Sequence, residues 1–432
     1  MDVLLTFSLN HIEFRKAEWD SIVDFQGLNL PSISESSKEP LEFIKVENVK
    51  EIEGVLERSL LLKHAHEVLA SGESHDNVLH QLITRRNEIR NRLRSSNTWR
   101  IKYRSHNKKQ NSDYIGDVVQ KYIDAVAFDD IEVNMNCPDY DFNIIEDFTN
   151  VVPKVYFTLL IGEGQGRLKH DFSLKTRKYI GNSTMDPELS FIQANVSRVK
   201  RGDLVLDCFC GTGGLILAAA KFGAFVMGSE ISYMVARAKG SSARMGEGEL
   251  TDEHNVMANF AQQKLEANFG GVILADASEH MLWKRTEIFD AIVADPPYGV
   301  REKGRKLGKK EDKDGWIKNE TVHLERYPEK QKYKTTTLYL DLMDFAASHL
   351  VNDGHVSFWY PVLRGSYGED VLPKNPCLTL VSNCEQVLSR KGSRRLLCYR
   401  KVWNPVDNEQ STVDRDPYEE VSYRDAIFGP PA

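Results

Sequence analysis

The run Asp295-Pro296-Pro297-Tyr298-Gly299 follows the apolar stretch Ile292-Val293-Ala294. At the end of a buried strand, an acid, two prolines and an aromatic are well suited to gripping a planar amino group so that its nitrogen can be alkylated. An exocyclic amine conjugated to a base ring is a poor nucleophile, because its lone pair is spread into the ring. A carboxylate at Asp295 accepting one N–H, and the Pro296 carbonyl accepting the other, favour a tetrahedral nitrogen with a directed lone pair. The prolines also remove two competing N–H donors and stiffen the loop. Tyr298 offers a flat face to a base turned out of its stack. Asp295, Pro296 and Tyr298 are therefore candidate catalytic residues, although a Pro-Pro turn after a buried strand accounts equally well for the motif alone.

A second motif points the same way. Leu204-Val205-Leu206-Asp207 reads as a buried parallel strand running into Cys208-Phe209-Cys210-Gly211-Thr212-Gly213-Gly214, with an Ala-rich helix from Leu215 to Lys221. Glycines there let the backbone approach a ligand and adopt positive φ. The spacing is not the G-x-G-x-x-G of dinucleotide folds, and an acid stands four residues ahead of the first glycine. A carboxylate beside the ligand suits a cationic, phosphate-free cofactor such as S-adenosylmethionine, whose ammonium can pair with Asp207 or the nearby backbone. Glu230 ends the next apolar run, where ribose hydroxyls are normally bound, and Asp276 ends the run Gly271 to Ala275. Ligands of open parallel sheets collect at such strand ends. The candidate cofactor residues are Asp207, Gly211, Thr212, Gly213, Glu230 and Asp276.

With these residues in view, the chain resembles the tRNA guanine-10 N2-methyltransferase catalytic subunit family of archaea and eukaryotes. The resemblance runs from the N-terminus to about Asn404. Its carriers are SLKTRKYIGNSTMDPELSFIQAN (173–195), DCFCGTGG (207–214), DPPYGVRE (295–302) and LVSNCEQVLSRKGSRRL (380–396). The third is shared with many amino-methylating enzymes; the first and last are far more specific. Cys208 stands where the family tends to have proline, Glu230 where aspartate is usual, and Ser183-Thr184 is inverted. Each swap is apolar or keeps hydrogen-bonding capacity. The resemblance implies an α/β fold: a Rossmann-like class I methyltransferase domain with a doubly wound sheet, preceded by an α+β region made of a ferredoxin-like module and a THUMP domain. It also implies methyl transfer from S-adenosylmethionine to the N2 amine of a tRNA guanosine, and a small zinc-binding activator subunit as partner. The segment Gly181 to Pro187, with Thr184, would cover the methionine end of the cofactor; Asp186 before Pro187 also reads as a helix N-cap.

Composition and charge place these elements. The chain has 432 residues and a formal net charge of −7, so nucleic-acid contact must come from local patches. Between Arg85 and Lys109 stand ten Lys or Arg and one acid, interleaved with Trp99, Tyr103 and His106. This is an electrostatic footprint for RNA, with Arg85, Arg90, Arg94, Arg100, Lys102 and Arg104 as candidate contacts; a solvated surface is the competing reading. The expected organisation is a module over 1–60, an RNA-binding domain over 61–165, a linker over 166–180, the catalytic domain over 181–403 and a disordered acidic tail over 404–432. The basic segment 301–313 suits either disorder or ordering by RNA phosphates. The strand ending at Asp276 should lie at the sheet edge. Six cysteines with no C-x-x-C pair, no convincing leader and no apolar run of spanning length make a cytoplasmic protein the expectation. Competing functions are an amino-methylase of DNA or of protein glutamine, and a non-catalytic tRNA-binding subunit.

Overall fold

A computed structural model describes the chain except for residues 35–38, 241, 244–247, 252, 301, 309–329, 404–409 and 430–432. Of the expected basic segment 301–313, residues 301 and 309–313 lie outside the described residues, while 302–308 are described and include a short strand, Arg305–Leu307. Two units are present, Met1–Gly166 and Arg167–Ala432.

In the first unit, alternating apolar residues build seven strands: β1 (Asp2–Phe7), β2 (Leu41–Lys45), β3 (Leu62–Gly72), β4 (Thr98–His106), β5 (Glu132–Val133), β6 (Tyr140–Asp147) and β7 (Lys154–Glu163). They form one sheet in the order β2-β1-β3-β7-β6-β4-β5. The expected border at 60/61 therefore falls inside a continuous sheet, because β3 pairs with β1 on one side and β7 on the other. The period of two puts Trp99 and Ile101 of β4 into the core with Phe142, Ile144 and Phe157. Arg100, Lys102 and Arg104 fall on the opposite face. A buried carboxylate, Glu146, is satisfied by the Tyr103 and Tyr114 hydroxyls and by His75, each at 2.6 Å.

The second unit is built on β8 (Leu204–Asp207), β9 (Phe225–Glu230), β10 (Phe269–Leu274), β11 (Phe289–Ala294), a short hairpin of β12 (Arg305–Leu307) and β13 (Lys330–Lys332), then β14 (Leu350–Leu363), β15 (Leu378–Val387) and β16 (Gly392–Lys401). The main sheet runs β10-β9-β8-β11-β14-β16-β15. Its first five strands are parallel, and β16 is antiparallel to both neighbours. Helices cover both faces. Leu342, Phe345 and Ala346 of the helix Thr335–His349 pack with Leu206, Ile292 and Phe358. Ser357 has the opposite parity and meets Gln193 of the helix Pro187–Val196. This is the expected doubly wound arrangement, with β10 at the edge. Asp186 caps the helix Pro187–Val196, accepting from the Glu188 N–H at 2.9 Å.

Two segments depart from expectation. Residues 168–180 are not a free linker: Phe172, Arg177 and Tyr179 are buried in the second unit, and Phe172 meets Phe191 edge-on at 5.0 Å. The described part of the tail is ordered too, ending in the helix Tyr423–Phe428 with Tyr423 buried. Both segments carry too few apolar residues to read as core, yet each places an aromatic ring in a niche made elsewhere in the unit.

Candidate active site

The parallel register brings the acids together. Val293 pairs with Asp207, Asp207 with Gly228, and Leu274 with Glu230, so β8, β9, β10 and β11 all end at one edge. A cleft of about 1350 Å³ opens there, lined by Thr184, Asp207, Gly211, Thr212, Glu230, Asp276, Asp295, Pro296 and Tyr298. Gly213 sits behind this wall as the residue preceding the helix Gly214–Lys221, at φ 80°. A Cβ there would lie 2.7 Å from Val256 Cγ1, so glycine is required twice over.

The glycine turn is tied to its surroundings by side chains. The Gly211 N–H donates to Glu230 Oε2 at 3.0 Å and the Ser232 N–H to Oε1 at 2.7 Å. Asn259 donates to the Thr212 carbonyl at 3.3 Å and the Tyr179 carbonyl at 2.8 Å. The Thr184 and Thr212 hydroxyls lie 2.8 Å apart, which joins segment 181–187 to the turn. Asp207 accepts from the Phe209 N–H at 2.9 Å. Burial pushes its carboxyl up to about 8, and the negative charges of Asp295 and Glu230 add to the rise. Burial likewise raises Glu230, opposed by the N–H groups of Ser232 and Gly211. Asp276 accepts from the Ser278 N–H and hydroxyl, each at 2.9 Å, and from the Leu307 N–H. Carboxylate oxygens accept more than one bond, so each retains capacity for a ligand.

At the other end of the cleft, Asp295 Oδ1 lies 3.6 Å from Arg394 Nη1. The Arg394 guanidinium rests 4.1 Å from the centre of the Trp359 ring and donates through Nε to Gln386 Oε1 at 2.7 Å. Trp359 in turn donates to Gln193 Oε1 at 2.8 Å. The Gln193 amide nitrogen reaches the carbonyls of Ala294 (3.3 Å) and Ser357 (3.1 Å), fixing the last residue before Asp295. Tyr298 meets Tyr423 edge-on, centroids 5.8 Å apart. Arg394, Gln193 and Tyr423 escaped the sequence reading. Two of them lie in segments that carry the resemblance, Gln193 in 173–195 and Arg394 in 380–396, but nothing in their residue type singles them out there.

Residues 1–164 match a family model described as Tmrp11 THUMP N-terminal domain, and residues 175–310 match one described as RMKL-like, methyltransferase domain. The human tRNA (guanine(10)-N(2))-methyltransferase TRMT11 is 36% identical over 411 residues, covering 92% of this chain and 88% of the relative. The protein of the same name from Dictyostelium discoideum is 29% identical over 449 residues, covering 96% of this chain and 85% of the relative. The chain belongs to the tRNA (guanine(10)-N(2))-methyltransferase family. Among solved structures, TrmN from Thermus thermophilus is 16% identical with a TM-score of 0.47, covering 93% of this chain and all of that one.

In this family member most of the basic cluster of the first unit is engaged within the protein. Arg85 pairs with Glu88 at 2.7 Å, Arg90 with Asp130, and Arg92 with Glu67 at 2.6 Å. Arg100 and Lys102 share Asp141, and Arg104 donates to Asn143 Oδ1 at 2.9 Å. Arg94 is exposed and makes no side-chain ion pair among the described residues.

Proposed function

We propose that this chain transfers a methyl group from S-adenosylmethionine to the exocyclic N2 amine of a guanosine in tRNA, position 10 being the site named for its relatives. The observation that carries the reading is the convergence of the Asp295–Tyr298 loop with Asp207, Glu230 and Asp276 on one cleft. The donors fit a cationic, phosphate-free cofactor: Asp207 for the ammonium, Glu230 for the ribose hydroxyls, and Thr184, Thr212 and Asp276 as further polar contacts. When bound, the cofactor supplies an electrophilic methyl carried on a sulfonium. Asp295 accepts one N–H of the amine and is placed to take the proton that the nitrogen must shed. The Pro296 carbonyl accepts the other N–H, and Tyr298 stacks on the base. Positioning and electrostatics supply most of the rate in such a site. The first unit, matched by a THUMP model and carrying the basic cluster, supports tRNA binding.

A labelled-methyl assay on total tRNA and on duplex DNA, followed by mapping of the modified base, tests the proposal. Label in a tRNA guanine N2 amine is expected. Label confined to DNA or protein, or none at all, overturns it.

Two further parts belong to the same proposal. The first is cytoplasmic location, which rests on the cysteine usage. The second is a small zinc-binding activator that pairs with the edge of β10. Among the described residues β10 pairs only with β9, and Leu274 is 46% exposed. An open edge invites another chain to add a strand. Co-expression should raise solubility and activity, and Val272→Pro should abolish pairing. A lone, monomeric, fully active enzyme overturns the partner reading.

A further inference from the structure

Gly392-Ser393-Arg394 opens β16, and two arms leave it for the two ends of the Asp295–Tyr298 loop. The first arm is Arg394, whose Nη1 lies 3.6 Å from Asp295 Oδ1 while its guanidinium is seated on Trp359. The second arm is Tyr423. Its hydroxyl donates to the Ser393 carbonyl at 2.8 Å, and its ring meets Tyr298 edge-on at an interplanar angle of 85°. Gly392 is the seat of the helix Tyr423–Phe428: a Cβ there would lie 2.3 Å from Ile427 Cδ1 and 2.9 Å from the Tyr423 hydroxyl oxygen.

The segment leading to this helix is anchored along its length. Lys374 and Thr412 exchange two backbone hydrogen bonds of 2.8 Å, and Arg415 Nε donates to Asp370 Oδ2 at 2.6 Å. The Tyr418 ring meets Tyr423 at 6.1 Å, and its hydroxyl donates to the Pro361 carbonyl. Tyr423, Ile427 and Phe428 line the same cleft as Asp295, and Phe428 is 67% exposed. A large apolar ring left in water on the wall of that cleft is an unfilled contact for another flat group.

We propose that the carboxy-terminal segment completes the site of the target base. Tyr423 is a positioning residue that fixes the plane of Tyr298, and Phe428 supplies a second aromatic contact to the flipped nucleoside. Tyr298 stands in a loop, next to Gly299 at φ 91°, so its ring gains its orientation from what it packs against. A buried ring bonded to Ser393 holds that plane in step with Arg394, one residue along the same strand, and through Arg394 with Asp295 on the loop after β11. Asp207 and Glu230 lie on β8 and β9, away from the contacts of this segment with β14, β16 and Tyr298. The inference rests on the reading of the chain as a base-amine methyltransferase.

The test uses the full chain with its partner and compares Tyr423→Ala, Tyr423→Phe and Phe428→Ala. Tyr423→Ala is expected to lower kcat/KM for tRNA by about 10- to 100-fold, the scale of a misplaced reacting group. Its S-adenosylmethionine Kd should stay within about twofold, well below the loss expected of a broken cofactor contact. Tyr423→Phe keeps the ring and should recover most of the loss. Phe428→Ala removes an exposed side chain, leaves Tm unchanged, and should cost about 5- to 150-fold in kcat/KM for tRNA, the range for one lost base–aromatic contact. Should Tyr423→Ala fail to fold, Tyr423→Phe and Phe428→Ala decide. Wild-type kcat/KM in Phe428→Ala, or parallel loss of cofactor binding and activity in the Tyr423 variants, overturns the proposal. No transfer to tRNA guanine by the unaltered chain would instead defeat the functional reading beneath it.

Discussion

Glu230 offers a sharp test of how the cofactor turn is held, because both of its oxygens already accept from backbone N–H groups. Oε2 takes the Gly211 N–H at 3.0 Å and Oε1 the Ser232 N–H at 2.7 Å. A glutamine has one acceptor oxygen, so in Glu230→Gln its amide NH₂ must face one of those two N–H groups, donor against donor. The usual conservative substitution is therefore not conservative here. One lost bond to a charged acceptor costs about 1.5–3 kcal/mol. If that cost appears in the ordering of the turn on ligand binding, S-adenosylmethionine affinity falls about 10- to 150-fold. Glu230→Ala forfeits both bonds and should bind more weakly still. Isothermal titration of the cofactor into each variant measures the loss. kcat at saturating cofactor should largely recover, since the Asp295 loop is carried by a different strand, β11. Binding by Glu230→Gln within about twofold of the unaltered chain refutes the reasoning, because the lost bond would then carry almost none of its usual energy.

Asp295→Ala should lower kcat by about 10²- to 10³-fold, the scale of one electrostatic group at a reacting centre, with cofactor Kd changed only a few fold; equal loss of both sinks the assignment. Asp207→Ala should instead act on cofactor affinity, by about 1–3 kcal/mol. The Asp207 carboxyl, raised to about 8 by burial and by the charges of Asp295 and Glu230, is protonated in the ligand-free site at neutral pH. A cationic ligand that needs the carboxylate should then bind more tightly as pH rises toward about 8, by up to about tenfold per unit, and a flat calorimetric profile between pH 6.5 and 8.5 refutes this. The same shift means that the native state holds a proton the unfolded chain releases near pH 4. The Asp207 contribution to stability therefore declines between about pH 4 and 8, and Asp207→Asn should remove that slope from a Tm profile. Arg94→Ala, which breaks no ion pair among the described residues, should weaken tRNA binding and flatten its salt dependence; an unchanged slope returns the cluster to solvated surface.

The candidate acids of the cleft are legible because each sits at the end of its own short apolar run. Leu204–Leu206 before Asp207, and Ile292–Ala294 before Asp295, announce strand and strand end together. The edge position of β10 followed from the order of those runs. What could not be read depends on residues distant in sequence. Arg90 and Arg100 look like free cations along the chain, but Asp130 and Asp141, 40 and 41 residues away, fold onto them. A charge count over a window cannot include those partners. Arg94 is exposed, and its side chain forms no such pair among the described residues.

The same distance hides the residues that set the geometry of the site. Gln193 looks like an ordinary polar residue of a helix, yet its amide bonds Ala294 and Ser357, and its carbonyl accepts from Trp359, 166 residues away. A fully buried amide must be satisfied, and satisfying it here fixes the spacing of β11 and β14 at the point where the Asp295 loop departs. Arg394 and Arg395 are adjacent and chemically identical, but the strand period sends one over Trp359 toward Asp295 and the other over Tyr367. Which of the two faces the cleft is settled by the pairing of β16 with β14, Phe358 opposite Leu397 and Pro361 opposite Arg394. A one-residue slip of that register would turn Arg394 away and bring Arg395 round, so the ion pair of Asp295 depends on the long strand β14 as much as on the arginine itself.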